Sequence, residues 1–240
     1  MSTLIWHDVE CGGYTADLPL WEELADQTDE PIVELGCGAG RVMLHLARRG
    51  AQSVIGVDRD PDLVAAARER SGELPGDAEV ADVRGFELAT RCSLVIAPMQ
   101  LIQLLGGSQE RLDCLSSVVD CILPKGLAAF AIVEDLPAFP TDSPPPPLPD
   151  VHEIEGWVYS SLPLPPENGS DSILLRRLRQ TVDPEGSLSE EMDEVRIRAL
   201  SASTLEEEGR AVGLRPVGRR AIPETEAHVG STVVLFEKEA

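Results

Sequence analysis

The stretch Val33-Glu34-Leu35-Gly36-Cys37-Gly38-Ala39-Gly40-Arg41-Val42 decides how this chain folds. A short apolar run at 31–35 enters it as a strand. Residues 41–50 leave it with Val42, Met43, Leu46 and Ala47 on one helical face. A glycine-rich turn between strand and helix is where a backbone can approach a ligand closely. Outward from it, the stretches 53–57, 78–82, 93–97 and 126–133 read as strands. Helical stretches lie between and around them: 16–28, 60–71 behind the N-cap Asp60 and Pro61, and 108–122. Apolar strands alternating with helices imply βαβ units, an α/β fold whose parallel sheet is buried on both faces. This organisation covers about residues 31–135.

The loop itself discriminates between ligands. Gly36, Gly38 and Gly40 give G-x-G-x-G, but the sixth position is Arg41, so the third glycine of the dinucleotide fingerprint is missing. Glu34, beside the loop, would repel a pyrophosphate and attract an ammonium group. S-adenosylmethionine carries an ammonium, a sulfonium and an adenosine without phosphate, so the charge favours it over a nicotinamide. Asp58 closes the second strand, where a carboxylate can take both ribose hydroxyls. Asp82, at the end of the third, can accept from the adenine amino group. Cys37 reads as a small residue of the loop.

These residues resemble the class I S-adenosylmethionine-dependent methyltransferases of the small-molecule type. The resemblance rests on Glu34-Leu35-Gly36-Cys37-Gly38-Ala39-Gly40, on Val57-Asp58 and on Ala81-Asp82. It extends to Ala97-Pro98-Met99-Gln100 and to Leu123-Pro124-Lys125-Gly126, and covers most of 31–135. It implies a Rossmann-like doubly wound sheet of about seven strands, the last antiparallel. It implies that the glycine loop faces the methionine moiety, Asp58 the ribose and Asp82 the adenine. Arg59, Val83, Ala97, Pro98 and Gln103 are expected to join Tyr14, Glu34 and Cys37 around the cofactor. The Asn/Asp-Pro-Pro-Tyr/Phe signature of amino- and nucleobase-modifying members is absent after strand four, which counts against methylation of a DNA amino group or of glutamine.

Beyond residue 136 the character changes. Residues 137–150 are proline-rich and read as loop or lid. Strand-like stretches follow at 151–162, 172–183 and 190–200, the last two joined by Asp183-Pro184-Glu185-Gly186. We expect residues 137–200 to be an inserted antiparallel β cap on a methyltransferase domain made of 1–136, with its N-terminal helical segment, and 201–240. Ser203 to Glu206 has the form of a capping box, opening a helix that stops at Gly213. Strands near 215–221 and 231–237 complete the sheet.

Tyr14 precedes the first helix and is a candidate to close over the cofactor. Gln100 and Trp157 are the candidate acceptor contacts. Among the histidines, His7 is the best candidate general base, because its segment is expected to cap the site and imidazole titrates near neutral pH.

The 240 residues carry a net charge of −22 and are 42% apolar. That leaves a sizeable core but no basic face for nucleic acid, and it disfavours an anionic membrane surface. Five cysteines with no CxxC pair argue against a disulfide framework or a zinc site. No signal peptide or membrane span is legible, so the expectation is a cytoplasmic monomer or homodimer acting on a small molecule, without metal. The expected activity is transfer of a methyl group to oxygen or nitrogen. A non-catalytic S-adenosylmethionine-binding regulator or scaffold is the alternative.

Overall fold

The computed structural model describes residues 3–134, 148–225 and 228–239. Two helices open the chain, α1 (Thr3–Cys11) and α2 (Leu18–Ala25). The alternation then follows as β1 (Ile32–Leu35), α3 (Arg41–Arg49), β2 (Val54–Asp58), α4 (Pro61–Ser71), β3 (Gly76–Val80) and β4 (Cys92–Ala97). A 3-10 turn (Leu101–Leu104), α5 (Ser108–Cys121) and β5 (Ile122–Ile132) complete it. Local signals start and stop these elements. Asp60 Oδ1 accepts from the backbone of Asp62 and Leu63 at the head of α4, and Gly50 ends α3 at φ +108°.

Seven strands form one sheet in the order β11-β12-β5-β4-β1-β2-β3, where β11 is Leu214–Ile222 and β12 is Ser231–Lys238. β1 to β5 pair in parallel, while β12 runs antiparallel to both β5 and β11. The doubly wound sheet with its final antiparallel strand is thus as the sequence implies. Val33 and Leu35 point into the layer under α5 and α6 (Ala202–Ala211), and Ile32 into the layer under α2, α3 and α4. A buried pair, Arg111 with Glu208 at 2.6 and 2.8 Å, joins α5 to α6.

Strand order reverses between β1 and β4, so the glycine loop after β1 stands at the topological switch point. Left-handed Met99 (φ +51°) and Gln100 (φ +61°) turn the chain sharply where β4 ends at that same edge.

A second sheet lies between β5 and α6 in the chain. It consists of β6 (Asp150–Ile154), β7 (Trp157–Pro163), β8 (Glu167–Asn168), β9 (Ser172–Val182) and β10 (Leu188–Arg198). Its order is β10-β9-β7-β6, with β8 also on β9. The proline segment expected as a lid falls mostly in 135–147, outside the described residues.

Several local expectations are corrected. Residues 151–162 are two strands, because Glu155 (φ +52°) and Gly156 (φ +81°) form a hairpin turn. The third strand ends at Val80, so Asp82 stands two residues past it. The segment Leu123-Pro124-Lys125-Gly126, ahead of the strand expected at 126–133, is absorbed into β5 as a bulge, with Lys125 at φ +64°. Helix α6 is capped by Ser201, whose Oγ accepts from the Thr204 backbone at 3.1 Å, and not by Ser203.

Candidate active site

At the switch point, on the carboxyl edge of the sheet, lies a crevice of about 330 Å³. That is at the lower end of small-ligand sites, roughly 300–1,000 Å³. Gly36 and Gly38 form its floor, and Asp58 and Arg59 one wall. Asp82 and Val83 lie at one end, while Pro98, Met99 and Leu101 enter from β4. His7 and Cys11 of α1 close it from above.

The floor requires glycine. Gly36 sits at φ +66° and a Cβ there would stand 2.7 Å from Leu101 Cδ1. Gly38 sits at φ +53°, and a Cβ there would run into Nε2 of His7. Asp58 is pinned from both sides. Its Oδ2 accepts from the Gly38 backbone and its Oδ1 from that of Asp60, both at 2.9 Å. An ionised carboxylate has about four lone-pair sites, so two remain for a ligand.

Asp82 is held by Arg84. Its Oδ1 accepts from the Arg84 backbone and Nε, both at 2.9 Å, and its Oδ2 from the guanidinium at 2.5 Å. Those hydrogen bonds bring its pKa down to about 2. Arg84 also reaches Glu110 at 3.1 Å, giving the crevice a charged rim.

His7 is mostly covered, with its side chain 20% exposed. Burial lowers its pKa below the ordinary 6.5, against the opposing pull of Asp8 and Asp58. The imidazole is therefore neutral near pH 7 and able to take a proton. Its buried Nδ1 meets no hydrogen-bond partner among the described residues. Cys11, one turn on, is pushed up to about 11 by burial and remains a thiol.

Other expected site residues lie elsewhere. Glu34 alternates with Val33 and Leu35 and so points, with Ile32, toward α3. It is 3% exposed and its Oε2 accepts from the Met43 backbone at 2.7 Å, capping α3 beneath the loop. Burial, opposed by Arg41, pushes its pKa up to about 8. Cys37 packs beside Gly56 and Met43, Gly40 (φ +90°) precedes α3, and Ala97 is buried in the core. Tyr14 is an anchor, stacked on His228 at 4.6 Å with the Arg41 guanidinium 5.1 Å from its ring.

The two glutamines are structural as well. Gln100 donates to Ser231 Oγ at 3.0 Å. Gln103 is 1% exposed and among the described residues its side chain bonds to backbone: Nε2 donates to the carbonyls of Val133 and Arg198, and Oε1 accepts from Val133 N. Trp157 packs, with Tyr159 of its own strand, against Trp6 of α1 and does not line the crevice.

Sequence reasoning also missed contributors. Cys11, Leu63 and Leu105 line the crevice. Arg41 and Asp17 form a buried pair at 2.7 Å that ties the segment before α2 to the loop. The helical spacing of Leu4, His7, Asp8 and Cys11 was the available signal for α1.

Residues 32–126 match the family model described as a methyltransferase domain. The ribosomal protein L11 methyltransferase of Glaesserella parasuis is 26% identical over 106 residues, which are 44% of this chain and 34% of that relative's own length. The sugar N-methyltransferase of Streptoalloteichus superposes with a TM-score of 0.76 at 15% identity, over 99% of this chain and 92% of that one. The amino pentose methyltransferase of Micromonospora echinaspora, solved with S-adenosylmethionine bound, gives a TM-score of 0.71 at 15% identity, over 99% and 98% of the two chains. Over residues 32–126 the chain is thus similar to methyltransferase domains, and its fold is similar to that of S-adenosylmethionine-dependent methyltransferases.

Proposed function

We propose that the protein transfers the methyl group of S-adenosylmethionine to a small-molecule acceptor at oxygen or nitrogen. One observation carries this reading: Gly36, Gly38, Asp58 and Val83 converge on one crevice at the switch point. The crevice fits the group chemically. Two positive-φ glycines allow close approach, Asp58 keeps lone pairs for the ribose hydroxyls, and Val83 with Leu105 offers apolar cover for adenine. Asp82 stands at the adenine end with its oxygens already engaged by Arg84.

When bound, S-adenosylmethionine supplies an electrophilic methyl group. The chain's own task is to align donor and acceptor and to exclude water. His7, neutral near pH 7, takes the proton released by a hydroxyl or ammonium acceptor. Nitrogen is the first acceptor atom to test, since the two structural neighbours above are methyltransferases of sugars, one of them named for N-methylation.

Calorimetry with S-adenosylhomocysteine should give saturable binding with one site per chain. Release of S-adenosylhomocysteine, followed over a panel of amino sugars and hydroxylated analogues, should then identify the acceptor. Binding without turnover across a broad panel would favour a regulatory protein, and no binding would remove the cofactor assignment.

A further inference from the structure

Helix α1 has only nine residues, too few to hold a helix well on its own. Its position therefore rests on what it packs against. On one side Leu4 meets Ala39, Leu63 and Ala66, and Asp8 pairs with Arg70 of α4 at 2.8 and 2.5 Å. On the other side Trp6 and Val9 meet Tyr159 of the inserted sheet. There Glu10 accepts two hydrogen bonds from Arg179, at 2.7 and 2.8 Å, and a third from Ser161 Oγ at 2.7 Å. The same guanidinium lies 5.2 Å from the Trp6 ring. Both partners are well covered, Glu10 at 12% and Arg179 at 17% side-chain exposure, so solvent screens the pair only weakly.

We propose that Glu10 is a positioning residue for the crevice: its pairing with Arg179 anchors α1 to the inserted sheet and so fixes His7 against Gly38. This rests on the reading of the crevice as the cofactor site. The inserted sheet then governs the site through the helix that closes it. None of its described residues lines the crevice. The coupling is tight because His7 Nε2 occupies the space that a Cβ on Gly38 would need, so small displacements of α1 alter the room above the loop.

The charged groups facing His7 are Asp8 on its own helix, Arg70 on α4, Asp58 at the end of β2 and Arg41 on α3. None is touched by a change at Glu10, so a shift in the titration of His7 would report its burial.

The test uses the full chain with Glu10→Gln. Arg179 keeps Asp193 at 2.8 Å, so the guanidinium stays paired and the sheet is expected to fold. The His7 imidazole, followed by NMR, should titrate closer to the ordinary 6.5 in the variant. The dissociation constant for S-adenosylhomocysteine should rise about tenfold. Glu10→Asp should recover part of both effects. A folded Glu10→Gln protein with wild-type His7 titration and wild-type affinity overturns the proposal. Should Glu10→Gln fail to fold, Ser161→Ala removes one hydrogen bond to Glu10 together with the one Ser161 accepts from Arg177, and an unmoved His7 titration there overturns it as well. If the wild type binds no S-adenosylhomocysteine, the cofactor reading fails, and the His7 titration alone decides the role of Glu10.

Discussion

Strand β1 is buried at every position and β4 at all but one, whereas β10 of the inserted sheet buries only Ile197. The two sheets are therefore held by different forces. The seven-stranded sheet has a hydrophobic layer on each face, and apolar burial dominates its stability. The inserted sheet has one face toward α1 and the other toward solvent. Its inner face carries Arg177 and Arg179, paired with Asp150, Glu10 and Asp193. Its outer face sets Leu162, Leu178 and Met192 side by side in register. A core made by burial tolerates few changes of volume, while a sheet made by register and ion pairs tolerates many on its open face.

Substitutions can break or sharpen that contrast. The largest effect is expected at Phe130, fully buried on β5 and edge-to-face with Phe236 at 6.0 Å. Phe130→Ala should cost about 3–5 kcal/mol in chemical denaturation. A loss below about 1 kcal/mol would mean that the core is not close-packed there.

Next comes Asp58→Ala, which should leave the fold in place and weaken S-adenosylhomocysteine binding by about 1.5–3 kcal/mol. Calorimetry showing wild-type affinity would remove Asp58 from the ribose site.

Glu34→Gln probes the main sheet by pH. The folded-state pKa of Glu34 is raised from 4.5 to about 8, mainly by burial. Stability from such a carboxyl is fully present below 4.5 and is lost as pH rises through about 8. Glutamine keeps an acceptor for the Met43 backbone without that penalty. The melting temperature of the variant should match wild type near pH 4.5 and exceed it increasingly toward pH 8. A difference that does not change with pH would mean that Glu34 is not driven neutral by its surroundings.

The smallest effect is expected at Met192, 51% exposed on the outer face. Met192→Ser should change stability by no more than about 0.5 kcal/mol. A larger loss would show that this face is covered in solution, and sedimentation of the wild type would then detect the covering copy.

The same contrast explains what the sequence made legible. In the main sheet, periodicity, Asp60 and the terminal glycines act locally, so β1, β2, β4 and helices α3 to α5 lie close to their expected places. β3 slipped because Gly76 to Val80 has no apolar run, Asp77 and Glu79 interrupting it and only Ala78 being buried. The inserted hairpin at Glu155-Gly156 was missed because glutamate is not a usual first residue of that turn. Residues lining the crevice were legible where the loop between strand and helix selects the residue, as at Gly36, Gly38 and Asp58. Expected site residues were misread where the partner is remote in sequence. Gln103 finds Val133 and Arg198, and Trp157 finds α1, contacts that no local pattern encodes.

The Gln103 amide has one more consequence. The inserted segment leaves the main sheet beside Val133 and returns at Arg198, and one Nε2 donates to both carbonyls, at 2.9 and 3.0 Å. Departure and return are thus one side chain apart. The two ends of the segment are fastened at one side chain, like the two feet of a handle, while its sheet also rests on α1. A short turn joining those two carbonyl positions would leave the seven strands connected in their present order, but it would take away the surface on which α1 rests. The graft point therefore separates the strands of the main sheet from the surface that α1 packs against.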